Sequence, residues 1–160
     1  MSKQPTKLFI DDIVAYIDEM FAKDTRLTAS KKIKGKLAFS TDHIKDATKS
    51  FYVVHCMSKA PKDETFVAVK TLRVYVQIDI YALKGVFGGE QYLAEPMSIV
   101  LQDVISEYMH NLKFNGSNKN IGLMREVTSS PALPFEDGTK AYQSSLRYEF
   151  TIQKDYEKVY

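Results

Sequence analysis

The sequence predicts a single α+β domain in which two main helices pack on one face of an antiparallel or mixed β-sheet. Two segments carry apolar residues at spacings of three and four, others alternate apolar and polar residues with period two, and the order is helix, strands, helix, strands. The 160 residues make one domain of ordinary size, 1–160, and 44% hydrophobic against 26% charged residues is a globular composition. A chain of this length buries roughly 70% of the surface its unfolded form exposes, so it needs neither metal nor disulfide to hold a core.

The first periodic segment sets Ile10, Ile13, Val14, Ile17, Met20 and Phe21 on one side, which predicts an amphipathic helix from about Lys7 to Ala22. Thr6 is the expected N-cap, and Asp11 and Asp12 suit the positive end of the helix dipole. The pairs Asp11–Asp12 and Asp18–Glu19 are sequence neighbours that do not face each other, so they read as a solvated face and not as a carboxylate dyad. From 24 to 50 the periodicity dissolves. There Lys31, Lys32, Lys34, Lys36, Lys45 and Lys49 face Asp42 and Asp46, a local charge of +4, so the segment reads as a long basic loop. Its apolar Ile33, Leu37 and Phe39 leave room for a short edge strand whose lysines guard against edge-to-edge pairing.

Phe51 to Met57 is rich in β-branched and aromatic residues, and a second run, Thr65 to about Leu83, alternates Leu72, Val74, Val76, Ile78 and Ile80 with Arg73, Tyr75, Gln77, Asp79 and Tyr81. The two read as an antiparallel hairpin covered on its aliphatic side only, with Asp79 a surface or interface charge. Lys84 to Glu90 reads as a flexible Gly-rich connection with Val86 and Phe87 at its tip, and it lacks the spacing of a phosphate loop. Met97, Val100, Leu101, Val104, Ile105, Tyr108 and Leu112 then define a second helix of about five turns, with Pro96 near its first turn and Asn115–Gly116 as its stop. Gln102, Asp103, Ser106, Glu107 and His110 form its mixed face, toward water or a partner. A short strand from Ile121 to Val127, a proline-bearing loop from Thr128 to Gly138, a last strand alternating Leu146, Tyr148, Phe150 and Ile152 with polar residues, and a charged tail at 154–160 complete the chain.

Composition and motifs narrow the function by exclusion. The lone Cys56 rules out an intramolecular disulfide and fits a reducing compartment. A formal charge of +2 does not announce a nucleic-acid or membrane-surface protein. No signal-peptide pattern opens the chain, and no apolar stretch approaches the ~18 residues of a membrane span, so the expectation is a protein made in the cytosol. His43, His55 and His110 show no metal-ligand spacing, and His55 beside Cys56 points to the opposite face of a strand. The expectation is therefore no catalytic residue, no metal and no cofactor. Lys31, Lys32, Lys34 and Lys36 could meet phosphates, without arginine or a reading helix beside them.

Several of these segments together resemble a known family. They are the acidic amphipathic helix at the start, the strand Arg73–Tyr81, the Gly-bearing loop leading into a helix that opens Ala94-Glu95-Pro96-Met97-Ser98-Ile99-Val100-Leu101, and the Pro-containing loop before the strand Ser144–Ile152. This arrangement, from Leu8 to Gln153, resembles the tail terminator family of long-tailed bacteriophages, also called tail-completion or tail-to-head joining proteins. The basic segment between Arg26 and Ser50 is longer than the family's usual connection. The resemblance implies a structural, non-enzymatic α+β protein of the virion tail and neck, assembled in the host bacterial cytoplasm. Its partners would be copies of itself in a homo-oligomeric ring, generally a hexamer, the tail tube protein, and the head connector or completion protein. DNA would pass through the lumen without sequence-specific binding, and no membrane is involved. Within that expectation Val86, Phe87 and Tyr92 are candidates for a subunit or tail-tube contact, and Lys31, Lys32, Lys34 and Lys36 for an axial or DNA-lumen contact. The alternatives are another neck, head-completion or minor capsid protein, and a small nucleic-acid-binding protein using the lysine loop.

Overall fold

The computed structural model describes residues 5–27, 34–36, 50–61, 71–112, 121–134 and 141–153. Helix α1 (Pro5–Lys23) is followed by a 3-10 turn at Thr25–Leu27 and strands β1 (Lys34–Lys36), β2 (Phe51–Pro61) and β3 (Thr71–Ala82). A small hairpin of β4 (Gly85–Phe87) and β5 (Glu90–Tyr92) leads into helix α2 (Ala94–His110), and β6 (Ile121–Pro134) and β7 (Tyr142–Gln153) complete the fold. The main sheet runs β1-β2-β3-β7-β6, with β1 parallel to β2 and every other pair antiparallel. It is the expected α+β domain with a mixed sheet.

Both helices lie on the same face of the sheet because the alternation that a pleat imposes puts the aliphatic residues there. Val74, Val76, Ile78 and Ile80 of β3, Leu146, Tyr148 and Phe150 of β7, and Tyr52 and Val54 of β2 form the floor of the core. Phe9, Ile13 and Ile17 of α1 and Met97, Leu101 and Ile105 of α2 close it from above. Three tyrosines cross this layer with their hydroxyls on carboxylates or carbonyls at its rim. Tyr52 Oη donates to Asp18 Oδ1 at 2.8 Å, Tyr148 Oη to Glu126 Oε1 at 3.4 Å, and Tyr108 Oη to Asp24 Oδ2. Burial first, then the neighbouring carboxylate, raises the pKa of all three phenols, so each stays a protonated donor.

Several expectations are corrected. α1 begins at Pro5, so Thr6 lies inside the helix instead of capping it, and no acidic residue falls in its first turn. A proline in the first turn costs no intrahelical bond, which lets the helix start earlier than its apolar stripe. Asp12 is buried, not solvated. The 24–50 segment is not a loop throughout. It opens with the 3-10 turn and contains β1, the short edge strand expected within it, parallel to β2. Of the strand expected from Thr65, Thr71–Ala82 is described as β3, and 65–70 lie outside the described residues.

α2 ends at His110 with Asn111 as C-cap, where the Asn111 amide donates to Glu107 O at 3.2 Å; the expected stop at 115–116 lies outside the described residues. β6 continues past Val127 to Pro134 where a loop was expected. Its pairing with β7 shifts register at Ile121/Met124, Glu126/Thr128 and Ser130/Leu133, and such irregularities on an edge strand accommodate prolines that a central strand could not.

The Gly-rich segment is an ordered two-residue hairpin, not a flexible loop. Gly88 and Gly89 have φ of 60° and 84°, the left-handed pair that a tight turn between antiparallel strands demands. A Cβ at either glycine would meet nothing within 4 Å, so the cost of adding one is backbone strain alone. Gly88→Ala and Gly89→Ala are each expected to lower stability by about 1–2 kcal/mol, read as a lower urea midpoint at unchanged slope.

Candidate functional site

Three surfaces carry the polar and exposed apolar groups from which a site could be built. The first is the hairpin. Val86, Phe87 and Tyr92 sit together on it as the sequence suggested, all half-buried, but the tip belongs to the glycines, and Phe87 and Tyr92 pack against the protein's own core. Phe87 lies beneath the Arg26 guanidinium, whose central carbon is 5.1 Å from the ring centroid, and the Gly88 amide donates to Arg26 O at 2.8 Å. Arg26 is in turn held by Asp24, through Nε to Oδ1 at 2.9 Å and Nη2 to Oδ2 at 2.8 Å, and approaches Glu107 at 3.5 Å. Phe87 is thus an internal anchor of the hairpin. Val86 and Tyr92 instead line an open cleft of about 410 Å³ with Lys84, Gly85, Gln91 and Leu93.

The lysine candidates are placed only in part. Lys34 and Lys36 lie on β1 at one edge of the sheet, while Lys31 and Lys32 lie outside the described residues. β1 packs on β2 and α1, whereas the hairpin packs on α2 and the 3-10 turn, so the two candidate sets occupy different parts of the fold.

The second surface is the sheet face turned away from the helices. It was expected to be open, with Asp79 as a surface charge; in fact Phe51, Val53, Asp79 and Tyr81 are buried on it, and the Phe51 and Tyr81 rings stack at 4.8 Å and 17°. Asp79 is 5% exposed and in contact with the side chains of Gln77, His55 and Ser145, whereas Tyr75 and Gln77 on the same face of β3 are only partly buried. A carboxylate buried there must be surrounded by donors. Gln77 Nε2 and Ser145 Oγ donate to its Oδ1 at 2.7 Å each, and His55 Nε2 lies 2.8 Å from Oδ2. His55 thus has a carboxylate partner that the strand spacing did not reveal. Ser145 and His55 hold opposite oxygens of Asp79, so the three residues do not form a nucleophile with a base beside it.

The third surface is the β6 edge with the adjoining flank of α2. Gln102 was expected to face water or a partner, yet its amide donates to Ser130 O at 2.9 Å and Ser145 O at 3.2 Å, bridging β6 and β7, and Ser106 Oγ donates to Glu126 Oε1 at 3.3 Å. Ile99, one turn before Gln102 on that flank, is 53% exposed, and Leu93 and Leu133 are 74% and 60% exposed.

Among the described residues, no group of three or more His, Cys, Asp or Glu is placed to hold a metal ion, and no helix is long and apolar enough to cross a membrane. Compared with known proteins, the chain matches no protein-family model and no curated protein.

Proposed function

We propose that the chain is a structural protein of phage morphogenesis that closes into a ring on the head-proximal end of the tail tube, stops tube polymerisation and joins the tail to the head. The observation that carries this reading is the pair of unlike edges on one sheet. One edge is the three-residue β1 bearing Lys34 and Lys36; the other is the fourteen-residue β6, where Leu133, and Ile99 on the adjoining flank of α2, leave large apolar side chains in water. Single exposed apolar residues are ordinary, but two large ones together beside an edge strand fit a surface that a neighbour covers. Unlike edges suit a head-to-tail contact, which closes into a ring when the rotation between subunits divides the circle.

The reading is tested on the purified protein by native mass spectrometry and negative-stain imaging, alone and with a polymerising tail tube protein. Rings, and tubes held short by added protein, are the expected results. A monomer that leaves tube length unchanged would overturn the proposal. Ile99→Asp combined with Leu133→Asp is expected to weaken ring association at least tenfold while leaving the melting temperature of the subunit within a few degrees, because both side chains are already exposed. Rings as stable as the parent's would remove the β6 edge from the interface.

A further inference from the structure

The cleft between β6 and β7 on the outer face has no part in the ring proposal, and its chemistry points elsewhere. It encloses about 240 Å³ lined by Thr128, Ser129, Ser130, Ser145 and Arg147. We infer that it binds a phosphate oxyanion, either free phosphate or the terminal group of a phosphomonoester.

Arg147 supplies the charge. Arg26 is neutralised by Asp24 and Glu107, and Arg73 Nε lies 3.0 Å from Glu149 Oε1, a coulombic contact since that nitrogen finds no aligned acceptor. Arg147 makes no ion pair among the described residues. It makes one hydrogen bond, Nε to Gln77 Oε1 at 2.8 Å, which leaves both terminal nitrogens uncommitted. That bond also orients the guanidinium, because Gln77 is itself fixed through its amide on Asp79, and Asp79 is fixed by Ser145 and His55. A guanidinium held at its Nε with its outer fork free is arranged for bidentate recognition of an oxyanion. Both oxygens of Asp79 are engaged within the sheet, which lessens the repulsion it offers.

The hydroxyls decide between oxyanions. Ser130 Oγ accepts from the Ser145 amide at 2.9 Å, so its own proton is free to donate, and Thr128 Oγ1 makes only a long bond of 3.4 Å to Ser129 O. Ser145 is different. Its hydroxyl proton goes to Asp79, so toward the cleft it offers a lone pair and accepts a proton. A carboxylate or a sulfate at neutral pH has no proton to give it. Inorganic phosphate retains a proton at neutral pH, and a phosphomonoester, whose second ionisation lies near pH ~6, is protonated in part. The set of a cationic fork, two donors and one acceptor therefore matches phosphate better than its isosteres.

The test is a titration of the full chain with inorganic phosphate at pH 6–7, followed by amide shifts in NMR, with sulfate as the competitor of the same shape. Saturable shifts confined to Thr128–Ser130 and Ser145–Arg147, with sulfate several-fold weaker, are expected. Arg147→Ala should weaken phosphate binding at least tenfold. Thr128→Asp, at an exposed position that leaves the arginine in place, should abolish it. Absence of saturable shifts, shifts that survive both substitutions, or sulfate binding as tight as phosphate would each overturn the inference. So would a DNA duplex that shifts these amides when inorganic phosphate does not, since that would make the ligand a phosphodiester.

Discussion

Phe150→Ala is expected to lower the unfolding free energy by about 3–5 kcal/mol. Phe150 is fully buried on β7, the strand that joins the β2–β3 pair to the β6 edge, and its ring meets Phe9 of α1 edge-on at 4.7 Å. Tyr148, also buried, approaches the same ring at 6.3 Å. Truncation removes the transfer energy of the ring, and rigid strands on either side keep the space from collapsing, so the cavity term adds to it. It also detaches the start of α1, whose contact with β7 runs through Phe9. A domain of this size has roughly 5–15 kcal/mol in all, so the variant should show a urea midpoint lowered by about a fifth or more. It should also lose amide protection in the first turns of α1. A loss below about 1.5 kcal/mol would mean that α1 does not seat on β7 in solution.

The core was legible in the sequence where one element's own periodicity fixes which side is inward. Val74 to Ile80, Leu146 to Phe150 and Met97 to Tyr108 all face inward as their spacing requires. What stayed illegible depends on which strand lies beside which. Asp79 has the same alternation as any surface residue of a half-covered sheet, and its contacts with His55 of β2 and Ser145 of β7 cannot be read from its own strand. The Pro131 and Pro134 segment has loop composition, and it is strand only because it lies on an edge where register shifts absorb the missing donors. The β4–β5 hairpin did have a local signal, Gly88-Gly89 between two short apolar-polar runs, but three-residue strands are too short to display a period. The same limit applies to the candidate site. Val86, Phe87 and Tyr92 do share one element, yet that Phe87 faces inward is decided by Arg26, sixty-one positions earlier in the chain.

Arg26 also sets the second large effect, through Asp24. The Arg26 side chain bonded to Asp24 holds the carboxyl well below its ordinary range, from 3.8 to about 2. Burial opposes this and is second in size, while the hydroxyl of Tyr108 and the Arg26 amide act in the same direction as the Arg26 side chain. A depressed carboxyl binds protons less readily in the folded than in the unfolded chain, so its contribution is complete above about pH 4 and disappears as pH falls through about 2. The difference corresponds to about 2 kcal/mol. Asp24→Asn is accordingly expected to destabilise the protein by about 2 kcal/mol at pH 7, with the gap between variant and parent closing between about pH 4 and pH 2. Urea titrations at pH 7, 4 and 2.5 measure it. The loss should not stay local, because Asp24 fixes the Arg26 fork, Arg26 covers Phe87, and the Gly88 amide rests on Arg26 O. Faster amide exchange at Gly88 in the variant would therefore accompany the stability loss. A variant equally destabilised at pH 7 and pH 2.5 would show that the carboxylate's charge is not what holds the α1 end, the hairpin and α2 together.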